Sequence, residues 1–210
     1  MFKKIISIAL ASVLTLSCAS LALAKEPEKL VYNSKDDFSN EQGKNCWYYQ
    51  YTKDGTYTGY QNMDWVKKGS NTTWHGSNDN GVVENFMIKD SMMHLGGGKT
   101  KPARVWVAPF SGVVKVESIG NVRKTTIYKG TNVQTSVVKT NSAQKNEQVL
   151  WTKLIEEGDS IGLGNTYSFD VMVNVGDRIY FEAEGTSVAN AGIYWDTQVS
   201  YKQAVYFESA

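Results

Sequence analysis

Two distant stretches of this chain are built alike. Residues 104–117 read RVWVAPFSGVVKVE and residues 169–183 read FDVMVNVGDRIYFEA. Each is a β-rich run, a turn carrying Gly with Pro or Asp, and a second β-rich run with alternating apolar residues. Phe169, Val171, Val173 and Val175 share one face of an extended chain while Asp170, Met172 and Asn174 take the other, which is the period-2 pattern of a half-buried strand. The chain is therefore expected to be an all-β, antiparallel protein. Strand-like runs near 46–51, 84–88, 103–108, 112–119, 123–129, 133–139, 147–155, 167–175, 178–184 and 193–202 give about ten short strands. Turns marked by Gly, Asn and Asp, with no sustained helical period, point to a β-sandwich of the jelly-roll kind. Val105, Val107, Val114, Val116, Phe169, Val171, Val173, Ile179, Phe181 and Val199 are its expected core.

Residues 1–24 pair Lys3 and Lys4 with an apolar run from Ile5 to Leu16 and end in Ala22-Leu23-Ala24. That is the layout of a secretory signal peptide, too short and too poorly flanked for a membrane span. A competing reading takes LTLSC as a lipoprotein cleavage box that leaves Cys18 as a lipid-bearing N-terminus. Residues 25–35 read as a polar tether, and 36–210 as one domain with a sizeable core. Secretion to the extracellular space or cell surface follows. The 22 Lys+Arg and 21 Asp+Glu nearly cancel, so no charge asymmetry argues for nucleic acid. Beyond the leader only Cys46 remains, which leaves no intramolecular disulfide and makes stability a matter of the core.

Catalytic signatures are weak. Gly158-Asp159-Ser160-Ile161-Gly162 fits the G-x-S-x-G pattern of a nucleophile elbow, but both histidines, His75 and His94, precede Ser160 and no helix is expected after it. The GGGKT run at 96–100 imitates a phosphate-binding loop, yet Met93 stands where its first glycine belongs and Pro102 opposes the required helix. Glu182 and Glu184, on one strand face, have a glycosidase-like separation but read as a solvated face. Asn78-Asp79-Asn80-Gly81 lacks the acids of an EF-hand, which leaves Asp79 and Glu84 as candidates for a structural calcium. No catalytic residue and no other cofactor is assigned.

The remaining signal is aromatic: Trp47, Tyr48, Tyr49, Tyr51, Tyr57, Tyr60, Trp65, Trp74, Trp106, Trp151, Tyr180, Tyr194 and Trp195. Sugar rings stack their C–H faces on aromatic planes while Asp, Asn, Gln and Arg take the hydroxyls, so exposed rings on a secreted sandwich suggest glycan binding. Core packing is the competing use of each ring. Alternation places Arg104 and Trp106 opposite Val105 and Val107. It buries Trp195, Thr197, Val199 and Tyr201, and it turns Tyr194 and Asp196 toward water or ligand. His94, Arg104 and Asp196 are polar residues set in apolar motifs. Either Arg104 and Asp196 form a buried pair with His94 capping a loop, or they hydrogen-bond sugar hydroxyls while Tyr49, Tyr51 or Trp74 supplies the stacking platform.

The ordered motifs FSNEQGKNCWYYQY, YQNMDW, MHLGGG with ARVWVAPFSGVVKVE, VMVNVGDRIYFEAEG and YWDTQVSY resemble those of sandwich modules in bacterial secreted and cell-surface proteins. Such carbohydrate-binding-like modules often sit beside polysaccharide-degrading catalytic domains. The resemblance spans Phe38 to Tyr201. It departs from the family pattern at Leu95 after His94 and at Asp196-Thr197-Gln198, where proline is usual. It implies a non-catalytic module that recognises an extracellular or cell-surface glycan. The alternative is a protein-interaction or surface structural protein built on the same sandwich.

Overall fold

A computed structural model describes residues 29–68, 71–77, 83–95, 100–125, 131–186 and 191–204. Residues 1–24, read from sequence as a leader and including Cys18, and Asp79 lie outside the described residues. Sixteen strands are described, all antiparallel in their pairings, in three sheets. The four-stranded sheet runs β1 (Val31–Asn33), β16 (Thr197–Ala204), β9 (Gly112–Ser118) and β13 (Ser168–Val173). One six-stranded sheet, here the large sheet, runs β12 (Gln148–Ile155), β11 (Val133–Thr140), β14 (Arg178–Gly185), β8 (Lys101–Val107), β2 (Trp47–Thr52) and β3 (Gln61–Asn62). The third sheet runs β10 (Arg123–Lys124), β15 (Ala191–Tyr194), β7 (Met92–Leu95), β6 (Val83–Ile88), β5 (Asn71–Ser77) and β4 (Asp64–Lys68). One core cluster joins residues of all three sheets. Across it Tyr32 and Tyr201 meet Trp106, Trp74 meets Tyr49, and Trp195 meets Phe181. The molecule is a β-sandwich, with the large sheet facing the other two.

The two like-built segments explain one another. Neither is a hairpin: β8 leads from the large sheet into β9 of the four-stranded sheet, and β13 leads back into β14. They lie side by side, β14 pairing with β8 and β13 with β9, with Val171 opposite Val114 and Phe169 opposite Val116. Where both chains cross between layers, Ala108 N–H donates to the Asp177 carbonyl and Gly176 N–H donates to the Ala108 carbonyl, each at 2.8 Å. Gly176 holds φ +82° there, a conformation costly for a residue with a Cβ. The buried Asp177 carboxylate accepts the Asn174 N–H at 3.0 Å and pairs with Lys139 at 3.0 Å. The crossing's polar groups are thereby satisfied inside the fold.

Several expectations change. Val105 is buried, but on the outer side of the large sheet with Ala103, Tyr60 and Tyr180. Trp106 faces the main core and Arg104 is fully buried. Loop 53–60 folds over that outer face, so both sides of β8 are covered. Val107 and Phe169 are half-buried, and Val175 falls in the crossing turn and is exposed. Residues 31–33 are a strand on β16 rather than tether, because Tyr32 buries its ring against Trp106. The run expected over 193–202 breaks at Trp195-Asp196 into strands of two different sheets. Of the run at 123–129, Arg123–Lys124 is a strand and 126–130 lies outside the described residues. Strands β3, β4, β5 and β7 were not expected. The sequence NTTWHGS of β5 carries too little apolar alternation to signal a strand, and cross-sheet packing of Trp74 supplies what local pattern lacks.

Candidate functional site

The proposed stacking platform is interior. Tyr49 and Trp74 are buried and lie face to face, ring centroids 5.0 Å apart at 15°. The Trp74 indole N–H donates to the Ser39 carbonyl at 2.9 Å, and burial pushes the Tyr49 phenol up to about 12. Tyr51 is buried too, as is His94, whose strand β7 is flanked by β15 and β6. These four, read from sequence as ligand contacts, are core residues: sandwich cores without disulfides draw heavily on large rings. Glu84 is on β6, and among the described residues no three His, Cys, Asp or Glu side chains are grouped to hold a metal.

Arg104 is not a surface ligand, and among the described residues it forms no direct ion pair. It is 1% exposed; its Nη1 donates to the Trp195 carbonyl, and its Nη2 to the Lys89 carbonyl at 2.8 Å. Burial lowers its pKa while the nearby Asp196 charge opposes that. Arg104 thus ties the backbone at the β15–β16 break to the turn entering β7.

That break forms the candidate site. Trp195 and Asp196 line a cavity of about 320 Å³ together with Lys35, Ser91, Ile119, Gly120, Asn121, Arg123 and Tyr194. The volume is at the small end of ligand pockets. Its frame is closely tied: Trp195 N–H donates to the Ser91 carbonyl and Ile119 N–H to the Asp196 carbonyl, both at 2.9 Å. The Trp195 indole N–H donates to the Tyr167 hydroxyl at 2.8 Å, which donates to Thr197 Oγ1 at 3.0 Å, which donates to the Glu117 carbonyl at 3.0 Å. A network rooted in buried side chains fixes the wall before any ligand arrives.

Two of the sequence-predicted residues, Tyr194 and Asp196, meet here. Asp196 Oδ1 is buried yet accepts no hydrogen bond, which is unusual for a buried carboxylate oxygen. Burial pushes the Asp196 carboxyl above the usual range, and the Arg104 and Lys35 charges pull it back. Beside it the Arg123 guanidinium lies 4.4 Å over the Tyr194 ring, a cation–π contact set up by the pairing of Arg123 with Tyr194 across β10 and β15. Asn121 and Arg123 also brace a neighbouring loop, their side chains donating to the Ile161 and Ser160 carbonyls at 3.4 and 3.5 Å. Sequence reasoning missed Lys35, Asn121 and Arg123: they come from separate segments with no motif, and the fold alone joins them.

The G-x-S-x-G string is this bracing loop. Gly158, Gly162 and Gly164 all hold positive φ. The Asp159 carboxylate accepts the Gly162 N–H at 2.7 Å and the Asn165 side-chain amide at 2.9 Å. The next element is strand β13, so the strand–turn–helix geometry of a nucleophile elbow is not formed. Glu182 also departs from expectation. It is 6% exposed, beneath Tyr57 and Tyr60, rather than on a solvated face.

No family model matches the sequence, and no curated protein matches it. Similar solved structures include a xylan-binding module, CBM15, at 6% identity and TM-score 0.37, covering 84% of this chain and 99% of that one. Another is TmCBM61 in complex with β-1,4-galactotriose, at 12% identity and TM-score 0.33, covering 79% and 98%. A third is the Eiger TNF from S. frugiperda, at 10% identity and TM-score 0.31, covering 78% and 98%. Identities and TM-scores this low leave the functional reading to the cleft itself.

Proposed function

We propose that this chain is an exported, non-catalytic glycan-binding module whose site is the cleft at the β15–β16 break. The observation that carries the reading is the half-exposed Asp196 carboxylate, which lines a small preformed cavity beside the Tyr194 ring and the exposed Asn121 amide. A carboxylate in a cavity wall suits sugar hydroxyls, and a ring edge and amide at the same mouth supply an apolar contact and further hydrogen bonds. The leader-like pattern of residues 1–24 supports export, which would bring such a module to extracellular or cell-surface polysaccharide. An unbiased glycan array with the wild-type chain, Tyr194→Ala and Asp196→Asn tests it. Both variants are expected to lose the array signal while keeping the wild-type melting temperature; a retained signal places the site elsewhere.

One observation favours a second reading, a protein-interaction role. Ile161 and Leu163 are 70% and 85% exposed at the tip of the braced loop beside the cleft. If glycans give no signal and Leu163→Asp abolishes capture of a purified extracellular partner that the wild-type chain binds, this reading replaces the first.

A further inference from the structure

We infer that the ligand of the cleft is an acidic glycan, one whose sugar presents a carboxylate to Arg123. The inference rests on the glycan reading of the cleft and goes beyond it by naming the ligand's charge. Two cations, Lys35 and Arg123, line a cavity of about 320 Å³, and among the described residues neither has a carboxylate within ion-pair distance. Five other described lysines do: Lys29 pairs with Asp37, Lys101 with Glu184, Lys115 with Glu117, Lys139 with Asp177 and Lys202 with Asp170. A neutral sugar gives two such cations nothing to neutralise.

The manner in which Arg123 is held sharpens this. Its guanidinium is laid over the Tyr194 ring at 4.4 Å, and one Nη reaches the Ser160 carbonyl only at 3.5 Å. A planar fork immobilised on an aromatic face keeps most of its N–H donors unspent and loses little side-chain entropy on binding a planar, two-oxygen anion. The cleft is thus two-ended. Asp196, a half-exposed carboxylate in the cavity wall, takes hydroxyl donors, while Arg123, backed by Lys35, takes the acid. The Arg104 and Lys35 charges near Asp196 offset its repulsion of an incoming anion. A hydroxylated sugar acid matches both ends at once; a neutral hexose matches one.

The experiment measures binding of the full exported chain to a panel of uronic-acid polysaccharides, each beside the same polymer with its carboxyls reduced to alcohols, and to sulfated polysaccharides. At least one uronate polymer is expected to bind tenfold or more tightly than its reduced form. Arg123→Met is expected to erase that difference and Arg123→Lys to keep part of it, with melting temperatures lowered only slightly, as loss of one cation–π contact and one long hydrogen bond requires. Equal binding of acidic and reduced forms, lost together in Asp196→Asn, overturns the acidic ligand and leaves the glycan site standing. A preference for sulfated polymers over uronates overturns the carboxylate, and a uronate preference that survives both Arg123→Met and Lys35→Met overturns the assignment to these cations. Absence of binding to every acidic, reduced and neutral glycan removes the glycan reading and this inference with it.

Discussion

Glu182 is buried and Asp196 half-buried in one sandwich, and desolvation pushes both carboxyls above their usual range. They differ in what they accept. Glu182 lies on the outer face of the large sheet under loop 53–60, where Tyr57 and Tyr60 donate hydroxyls to its two oxygens at 3.0 and 2.7 Å. Their rings close over it by packing on Tyr180 at centroid distances of 5.0 and 4.8 Å. Asp196 sits at the mouth of a cleft with Oδ1 unused. A perturbed carboxyl is therefore not itself a mark of function, because structural networks perturb acids too. A place in the wall of a cavity, not the perturbed carboxyl, separates the two regions.

The comparison predicts opposite mutational profiles. Arg104→Met should have the largest effect: it strips the donors from the buried Trp195 carbonyl and the Lys89 carbonyl, each worth about 1–3 kcal/mol when left unpaired. Denaturant unfolding should show that loss, and glycan affinity should fall with it because the cleft wall is no longer tied. Glu182→Ala comes next. It orphans the buried Tyr60 hydroxyl and loosens loop 53–60, at about 2–3 kcal/mol, and it should leave glycan binding by the folded protein intact. If this variant loses binding at unchanged stability, the functional site lies on the outer face instead. Asp196→Asn should change stability by less than about 1 kcal/mol and remove binding, since its buried Oδ1 accepts no hydrogen bond within the fold.

The smallest effect is in pH. For an acid whose folded pKa is raised, stability is fully present below the unfolded value, near 4, and is lost as pH rises through the folded one. Glu182 and Asp196 should therefore make the protein melt at higher temperature near pH 5 than at pH 7. Asp54, held below its usual range by the Thr52 hydroxyl, acts in the opposite sense, but it is fully exposed and weighs little. Thermal melts of Glu182→Gln should show a flatter pH dependence than wild type; an unchanged slope would show that Glu182 is already matched in folded and unfolded chains.

Much of the architecture was legible in local pattern. The alternation in 112–118 and 168–173 marked β9 and β13, and that in 197–201 separated buried Thr197, Val199 and Tyr201 from half-exposed Gln198 and Ser200. Pattern failed where a strand is covered on both sides. Alternation in RVWV states that two faces differ, not which is inside, and both faces of β8 turn out to be buried. It failed again at Tyr49, Tyr51 and Trp74, because an aromatic ring has the same sequence signature whether it stacks on a sugar or on another ring.

The sequence by itself determined that this chain is an antiparallel β protein, that its long alternating segments share a core, and that Tyr194 and Asp196 point away from it. These follow from the period-2 geometry of an extended chain, which each segment obeys without its partners. Tertiary structure decided the site. Lys35, Ser91, Asn121 and Arg123 join Tyr194 and Asp196 only because the chain leaves one sheet at Trp195 and enters another, and Arg104 is a tether only because that break passes over it. Such neighbours are set by long-range strand pairing and burial, which depend on the whole chain folding at once and leave no local trace in residue order.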